Sequence, residues 1–343
     1  MTGLKVKPTN YSKRLTLDLR FERLNKISQR LFLYTRYIDP ENAMKYMEQE
    51  LVSIPFGKSK IDGLYYNSTI HDKDNKRNDT VVIHVHGFLG NFLDGSQRFL
   101  PPILAEGGYS SLAINTRMAN FGLFFGYGIL NDTIPQIDTV LEYLEKLGYK
   151  NIILSGYSLG TSIVLRYAAL RKDPKAFPTL KGVITLAAPY SMPDSIRRRW
   201  NSLGSEPSYD EVCEEAKEII KPGRKGTGHD RTILIYKARG DSYRPEHTEI
   251  YTYRTWWHLA GPEAHTAMGY KQMKEIKVPI LLIQGWYDEI VKPEETHDLA
   301  QVALDAGNKD VSAFYVNTGH KFDGKEEELG DIIVRWLERR FKS

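Results

Sequence analysis

Cysteine is nearly absent: Cys213 is the one thiol in 343 residues, so no disulfide can form within the chain. That suits a reducing compartment. Cys213 lies in the acidic run Asp210-Glu211-Val212-Cys213-Glu214-Glu215, where neighbouring carboxylates disfavour a thiolate, so a reactive cysteine is not expected. No run of about 18 apolar residues exists to span a bilayer. The first residues, Met1 to Pro8, contain no apolar stretch of the signal-peptide kind. A soluble, cytoplasmic protein is the expectation. An excess of one charge is lacking too. The net charge is +4, with about +7 on residues 1–37 and about −3 on the remainder. That distribution gives no uniformly basic face, and no nucleic-acid partner is expected. His247, His258 and His265 follow no metal-ligand spacing, so no metal site is expected.

What the chain does contain is ordinary globular material, 41% hydrophobic and 26% charged, enough for one large domain with an insertion or for two domains. Near the N-terminus Leu17, Phe21, Leu24, Ile27, Leu31, Tyr34 and Ile38 recur every three or four residues, which places them on one helix face. The preferred reading is a helical extension over residues 1–48 that packs on the body or on a second copy. A basic amphipathic helix on an anionic membrane surface is the alternative.

From about residue 50 the period changes. Residues 50–56 and 60–68 read as a strand pair and 71–78 as a polar loop. Apolar strand-like runs follow at 80–86, 110–115, 151–154, 182–187, 279–284 and 311–316, with helical patterns at about 94–105, 131–147, 159–171, 294–306 and 325–341. Strands alternating with amphipathic helices predict an α/β fold, with a mostly parallel central sheet covered by helices on both faces. One gap breaks the rhythm. Residues 191–278 include Arg197-Arg198-Arg199-Trp200, an acidic helical run at 209–220, a glycine-rich stretch at 221–228, and the aromatic cluster Tyr236, Tyr243, Tyr251, Tyr253, Trp256 and Trp257. We expect a largely helical cap there, inserted into a core of residues 49–190 and 279–343. Its entry point is the C-terminal edge of the sheet, where ligands of open α/β sheets bind.

The densest chemical signal is Gly156-Tyr157-Ser158-Leu159-Gly160, between the apolar run 151–155 and the helical run 161–170. By itself a G-x-S-x-G pentapeptide arises readily by chance and could be a turn with a solvated serine. On a strand-to-helix hairpin, however, the serine takes a strained backbone that exposes its hydroxyl, and a Cβ at either glycine would strike a neighbour. The helix N-terminus then favours negative charge beside it. A serine nucleophile needs a base, and the base an orienting carboxylate. His320 and Asp288 each lie a few residues past a strand end, in Gly319-His320 and in Gly285-Trp286-Tyr287-Asp288. Glu289, Asp194 and Asp241 are rival carboxylates. Acyl transfer also needs two convergent N–H donors. Leu159, after the serine, and Phe88, in His86-Gly87-Phe88, are the candidates. Tyr157, Trp256, Trp257 and Trp286 are candidates for a substrate pocket, the alternative being that the insertion's aromatics form its own small core. Arg197 to Arg199 read as a solvated helix face or as an anion site, and Arg117 as a residue ordering a loop near Phe88.

Together these segments resemble the α/β-hydrolase fold superfamily: His86-Gly87-Phe88, the elbow with Gly156 and Gly160 about Ser158, the G-x-x-D-x-I-V segment Gly285 to Val291, and Gly319-His320. The resemblance spans about residues 50–190 and 278–341. It implies a serine hydrolase without a cofactor, like a carboxylesterase or lipase, that cleaves a carboxylic ester, lactone or thioester through an acyl-enzyme. The same triad leaves open a C–C bond hydrolase, an acyltransferase or a ligand-binding receptor. A single glycine before bulky Phe88 is similar to the oxyanion loop of members that take medium or long acyl chains.

Overall fold

A computed structural model describes residues 48–68, 79–88, 90–119, 128–173, 175–220, 232–239 and 242–341. The expected N-terminal helix, the loop 71–78 and the stretch 221–228 lie outside the described residues, as do the side chains of Tyr236 and Tyr243.

The chain enters through an antiparallel pair, β1 (Glu48–Phe56) and β2 (Ser59–Asn67), turning at Gly57. Then β3 (Thr80–Val85), α1 (Leu100–Glu106), β4 (Ser110–Ile114), α2 (Leu130–Lys146), β5 (Asn151–Tyr157), α3 (Leu159–Leu170) and β6 (Leu180–Leu186) alternate. The helix expected at 94–105 is split: Gly95–Arg98 is a 3₁₀ turn, and Pro101 and Pro102 sit in the first turn of α1, where a missing N–H is harmless. After the insertion come β9 (Ile280–Gly285), α8 (Pro293–Asp305), β10 (Val311–Val316) and α9 (Glu326–Phe341). The sheet order is β1-β2-β4-β3-β5-β6-β9-β10, parallel from β4 to β10.

Burial on both faces explains why the central strands read as continuous apolar runs. Val81, Ile83, Val85, Ile152, Leu154, Ile280 and Leu282 pack toward α2, α3 and α8, while Val82, Ile153, Ile184, Leu281 and Ile283 pack toward α1 and α9. Alternate residues of one strand therefore serve two separate cores. From β3 the chain moves outward to β4 and then returns to β5 on the other side. This reversal opens a crevice at the C-terminal ends of β3 and β5.

Between β6 and β9 lie α4 (Met192–Ser202), α5 (Tyr209–Ile220), an antiparallel ribbon of β7 (Thr232–Arg239) and β8 (Ser242–Thr252), α6 (Tyr253–Ala260) and α7 (Gly269–Met273). The ribbon is an addition that the sequence pattern did not reveal. Trp200, Tyr209 and Trp256 form the aromatic centre of this region, with ring centroids 5.3–6.1 Å apart.

Candidate active site

Ser158 lies in the crevice, between β5 and α3, with φ 51° and ψ −117°. A side-chain-bearing residue holds such a conformation only when its surroundings enforce it, at about 1–3 kcal/mol. Here the enforcement is visible. The Ser158 N–H donates to the Leu186 carbonyl at 2.8 Å, and its own carbonyl accepts from the Thr161 N–H at 2.9 Å and hydroxyl at 2.6 Å. Both flanking glycines are sterically required. A Cβ on Gly160 would sit 2.2 Å from the Val85 carbonyl oxygen, and one on Gly156 would sit 2.4 Å from that of Gly160. Ala187 and Phe322, the other described non-glycine residues with positive φ, lie beside the same sheet edge.

The candidate base and acid come from neighbouring loops that are tied together. The Trp286 N–H donates to the Val316 carbonyl and the Tyr287 N–H to that of Thr318, each at 2.9 Å, which joins the loops after β9 and β10. In consequence His320 Nδ1 donates to Asp288 Oδ2 at 2.8 Å, and its Nε2 stands 3.1 Å from Ser158 Oγ. A carboxylate can only accept, so the proton is on Nδ1 and Nε2 is left to take the serine proton. Asp288 also accepts from the Ile290 and Val291 N–H groups and from the Gln284 amide at 2.8–2.9 Å. Burial pushes its carboxyl up, but the bond and charge of His320 and the two N–H groups outweigh that and hold it below the usual carboxylate value. Of the rivals, Glu289, in the same loop as Asp288, and Asp194, on α4, are exposed, and Asp241 lies outside the described residues.

The loop after β3 is locked by a buried histidine. His86 Nδ1 donates to the Gly87 carbonyl at 2.9 Å, and Nε2 accepts from the Thr116 N–H at 3.3 Å and hydroxyl at 3.0 Å. Burial pushes its pKa down to about 4, against the bond to Gly87 and the charge of Asp94, so the ring is neutral. Asn115 holds the same loop through the Phe92 N–H at 2.8 Å. Asn115 and Thr116, rather than the exposed side chain of Arg117, order this segment. Their signal was present in the sequence, as a polar pair closing an apolar strand. Of the candidate oxyanion donors, Phe88 lies in this loop and Leu159 directly follows the serine, opening its helix, where an N–H has no earlier turn to bond.

Ser158 opens into a cavity continuous with solvent. Phe88, Pro189, Ile290 and Val291 line its sheet side, and Met192, Ile196, Trp200, Leu203 and Tyr251 its insertion side. The four aromatic pocket candidates do not line it. Tyr157 is buried against the His320 ring at 5.3 Å, and Gly87 approaches its ring too closely for a Cβ. Trp256 is buried against Trp200 and Tyr209, and Trp257 is buried in the same continuous apolar core, where a large apolar surface is most stabilising. Trp286 is half exposed and stacks on Tyr315 at 4.3 Å, away from the cavity. Gln284 and Thr116, both buried and polar, were missed.

Several solved structures are similar to this one. The Pyrococcus furiosus esterase Pf2001 matches with a TM-score of 0.57 at 17% identity, over 88% of this chain and 94% of its own. Est1E from Butyrivibrio proteoclasticus matches with 0.54 at 16%, over 84% and 98%. The Paleococcus ferrophilus monoacylglycerol lipase matches with 0.54 at 19%, over 81% and 98%. No family model matches the sequence, and no curated protein matches it. Identities this low speak for architecture, and with the sheet order they show that the chain has the α/β-hydrolase fold.

Proposed function

We propose that the protein is a serine hydrolase that cleaves a carboxylic ester through an acyl-enzyme, with residues 191–278 as the cap that selects the substrate. The hydrogen-bonded series Ser158–His320–Asp288, facing an apolar cavity, carries this reading. Ser158 Oγ attacks the carbonyl as His320 Nε2 takes its proton. Asp288 keeps the imidazole in the right tautomer and stabilises it once charged. The N–H groups of Phe88 and Leu159 bind the oxyanion. His320 then protonates the leaving alcohol, and a water, deprotonated by the same ring, releases the acid. The reaction needs no cofactor. An esterase and a monoacylglycerol lipase among the similar structures support this reaction class.

The test is Ser158→Ala, with p-nitrophenyl butyrate as substrate. A loss of kcat on the order of 10⁴–10⁶ is expected, with the urea unfolding midpoint retained and fluorophosphonate labelling abolished. Turnover by the variant at the wild-type rate would refute the assignment.

A further inference from the structure

Arg197, Arg198 and Arg199 follow one another on α4, yet the structure treats them differently. Arg197 pairs with Asp210 at 3.0 Å and lies over the Tyr209 ring at 5.2 Å. Arg198 donates to Glu295 at 2.8 Å, to Ser195 at 3.1 Å and to the Ile290 carbonyl at 3.2 Å. Arg199 makes no side-chain hydrogen bond or ion pair among the described residues. It stands one helical turn from Ser195 and one from Leu203, all three lining the Ser158 cavity, so it belongs to the face of α4 that meets the cavity. Among the described lining residues it is the one charged side chain.

An arginine stem adds to an apolar wall without penalty while its head stays hydrated. A neutral acyl chain filling the cavity would strip water from that head and give nothing in return, which is unfavourable. A carboxylate would accept two parallel N–H bonds from the guanidinium, in a setting drier than open surface. We propose that Arg199 binds a carboxylate on the substrate, so that the preferred ester carries an anionic group separated from the scissile carbonyl by an apolar spacer. This rests on the ester-hydrolase reading above and names its substrate class. The carboxylate could sit on the acid half or on the alcohol half, and the two are separated by experiment.

The acid arm compares mono-p-nitrophenyl adipate with p-nitrophenyl heptanoate. The alcohol arm compares the hexanoate ester of 4-hydroxybenzoate with that of its methyl ester. In one arm the wild-type kcat/KM should favour the carboxylated ester by about ten-fold or more, the range of a charge-assisted pair. Arg199→Met should collapse that ratio, and Arg199→Lys, which keeps a cation without the fork, should retain part of it. Ratios at or below one in both arms, or a ratio that survives Arg199→Met, would overturn the proposal. Calorimetric binding of the same four esters to Ser158→Ala, with and without Arg199→Met, separates this failure from failure of the hydrolase reading. If the wild type hydrolyses none of the four but Ser158→Ala binds a carboxylated ester more tightly in an Arg199-dependent way, hydrolysis falls and the anion site stands. If esters are cleaved with no carboxylate preference, the anion site falls and hydrolysis stands. If neither turnover nor Arg199-dependent binding is seen, both fall.

Discussion

On the sheet side of the Ser158 cavity, directional bonds set the geometry: Asp288 accepts four hydrogen bonds, and His86 joins two strand-end loops through both ring nitrogens. On the insertion side, aromatic edges and faces do the work, with Trp200 at 6.0 Å from Trp256 and Tyr209 at 5.3 Å from it. Hydrogen bonds fix distances within a few tenths of an ångström. Ring packing fills volume and accepts substitutes of similar size. The sheet side is therefore suited to holding one chemistry and the insertion side to changing its substrate. If that contrast is real, substitutions on the two sides should differ in kind as well as in size.

The largest effect belongs to the sheet side. Asp288→Asn exchanges an acceptor-only carboxylate for an amide that can turn a donor toward His320, reversing the tautomer and withdrawing the charge that supports the imidazolium. A loss on the order of 10⁴ in kcat is expected, with the substrate KM changed far less. A loss of only a few-fold would break the contrast, because the bonded side would then be as tolerant as the packed one.

Acid should act next, and also on the sheet side. Burial pushes the imidazoles of His84 and His86 down to about 3 and about 4. In the unfolded chain they take up protons near pH 6.5. Between those values the unfolded state binds more protons, so stability falls as pH drops, by about 2–3 kcal/mol per histidine at pH 4.5. Asp288, held below its ordinary value, stabilises the fold above its unfolded pKa and loses that contribution as pH falls through the folded one. Urea titrations at pH 7 and pH 4.5 measure the two histidines, since Asp288 gives up its share only below that window, and equal midpoints would show that these rings are not buried neutral.

The sheet side was also the more legible in sequence, for the same physical reason. A strand buried on both faces must be apolar throughout, and a residue just past its end must lie at the sheet edge, so Ser158, Asp288 and His320 could be placed by counting from strand ends. Helix α3 and the strand-end glycines followed from steric need. The insertion obeys no such rule. Its aromatic residues were as good a pattern for a pocket as for a core, and Trp256 and Trp257 went into the core. Among the described residues ribbon β7–β8 pairs only with itself in sheet hydrogen bonding; β7 opens on the apolar run Ile233-Leu234-Ile235-Tyr236, but β8 mixes β-branched residues with charges and Pro245, so its partner carried no strand pattern. Arg199 could not be told from Arg197 and Arg198 until α4 had a rotational setting. Gln284 was hidden because a single polar residue at a strand end usually marks only the start of a turn, and the pair Asn115-Thr116, visible in sequence, reads the same way.

The smallest effect should come from the insertion side, at Leu203, which caps α4 and lines the cavity beyond Trp200. Leu203→Ala removes apolar wall from a half-buried position, where neighbours are free to relax and the fold loses little. What changes is the length of chain the cavity accepts. Each further methylene removed from water is worth about 0.8 kcal/mol, or roughly four-fold, so the octanoate-to-butyrate ratio of kcat/KM should rise by about that factor per methylene gained. The informative quantity is the ratio, since a perturbed Ser158 or His320 would lower both esters together. A parallel fall in both, with the ratio fixed, would mean that α4 and the triad form one rigid unit, joined through the bond from Arg198 to the Ile290 carbonyl. A shifted ratio would mean that this joint holds the wall in place without transmitting its changes to the chemistry.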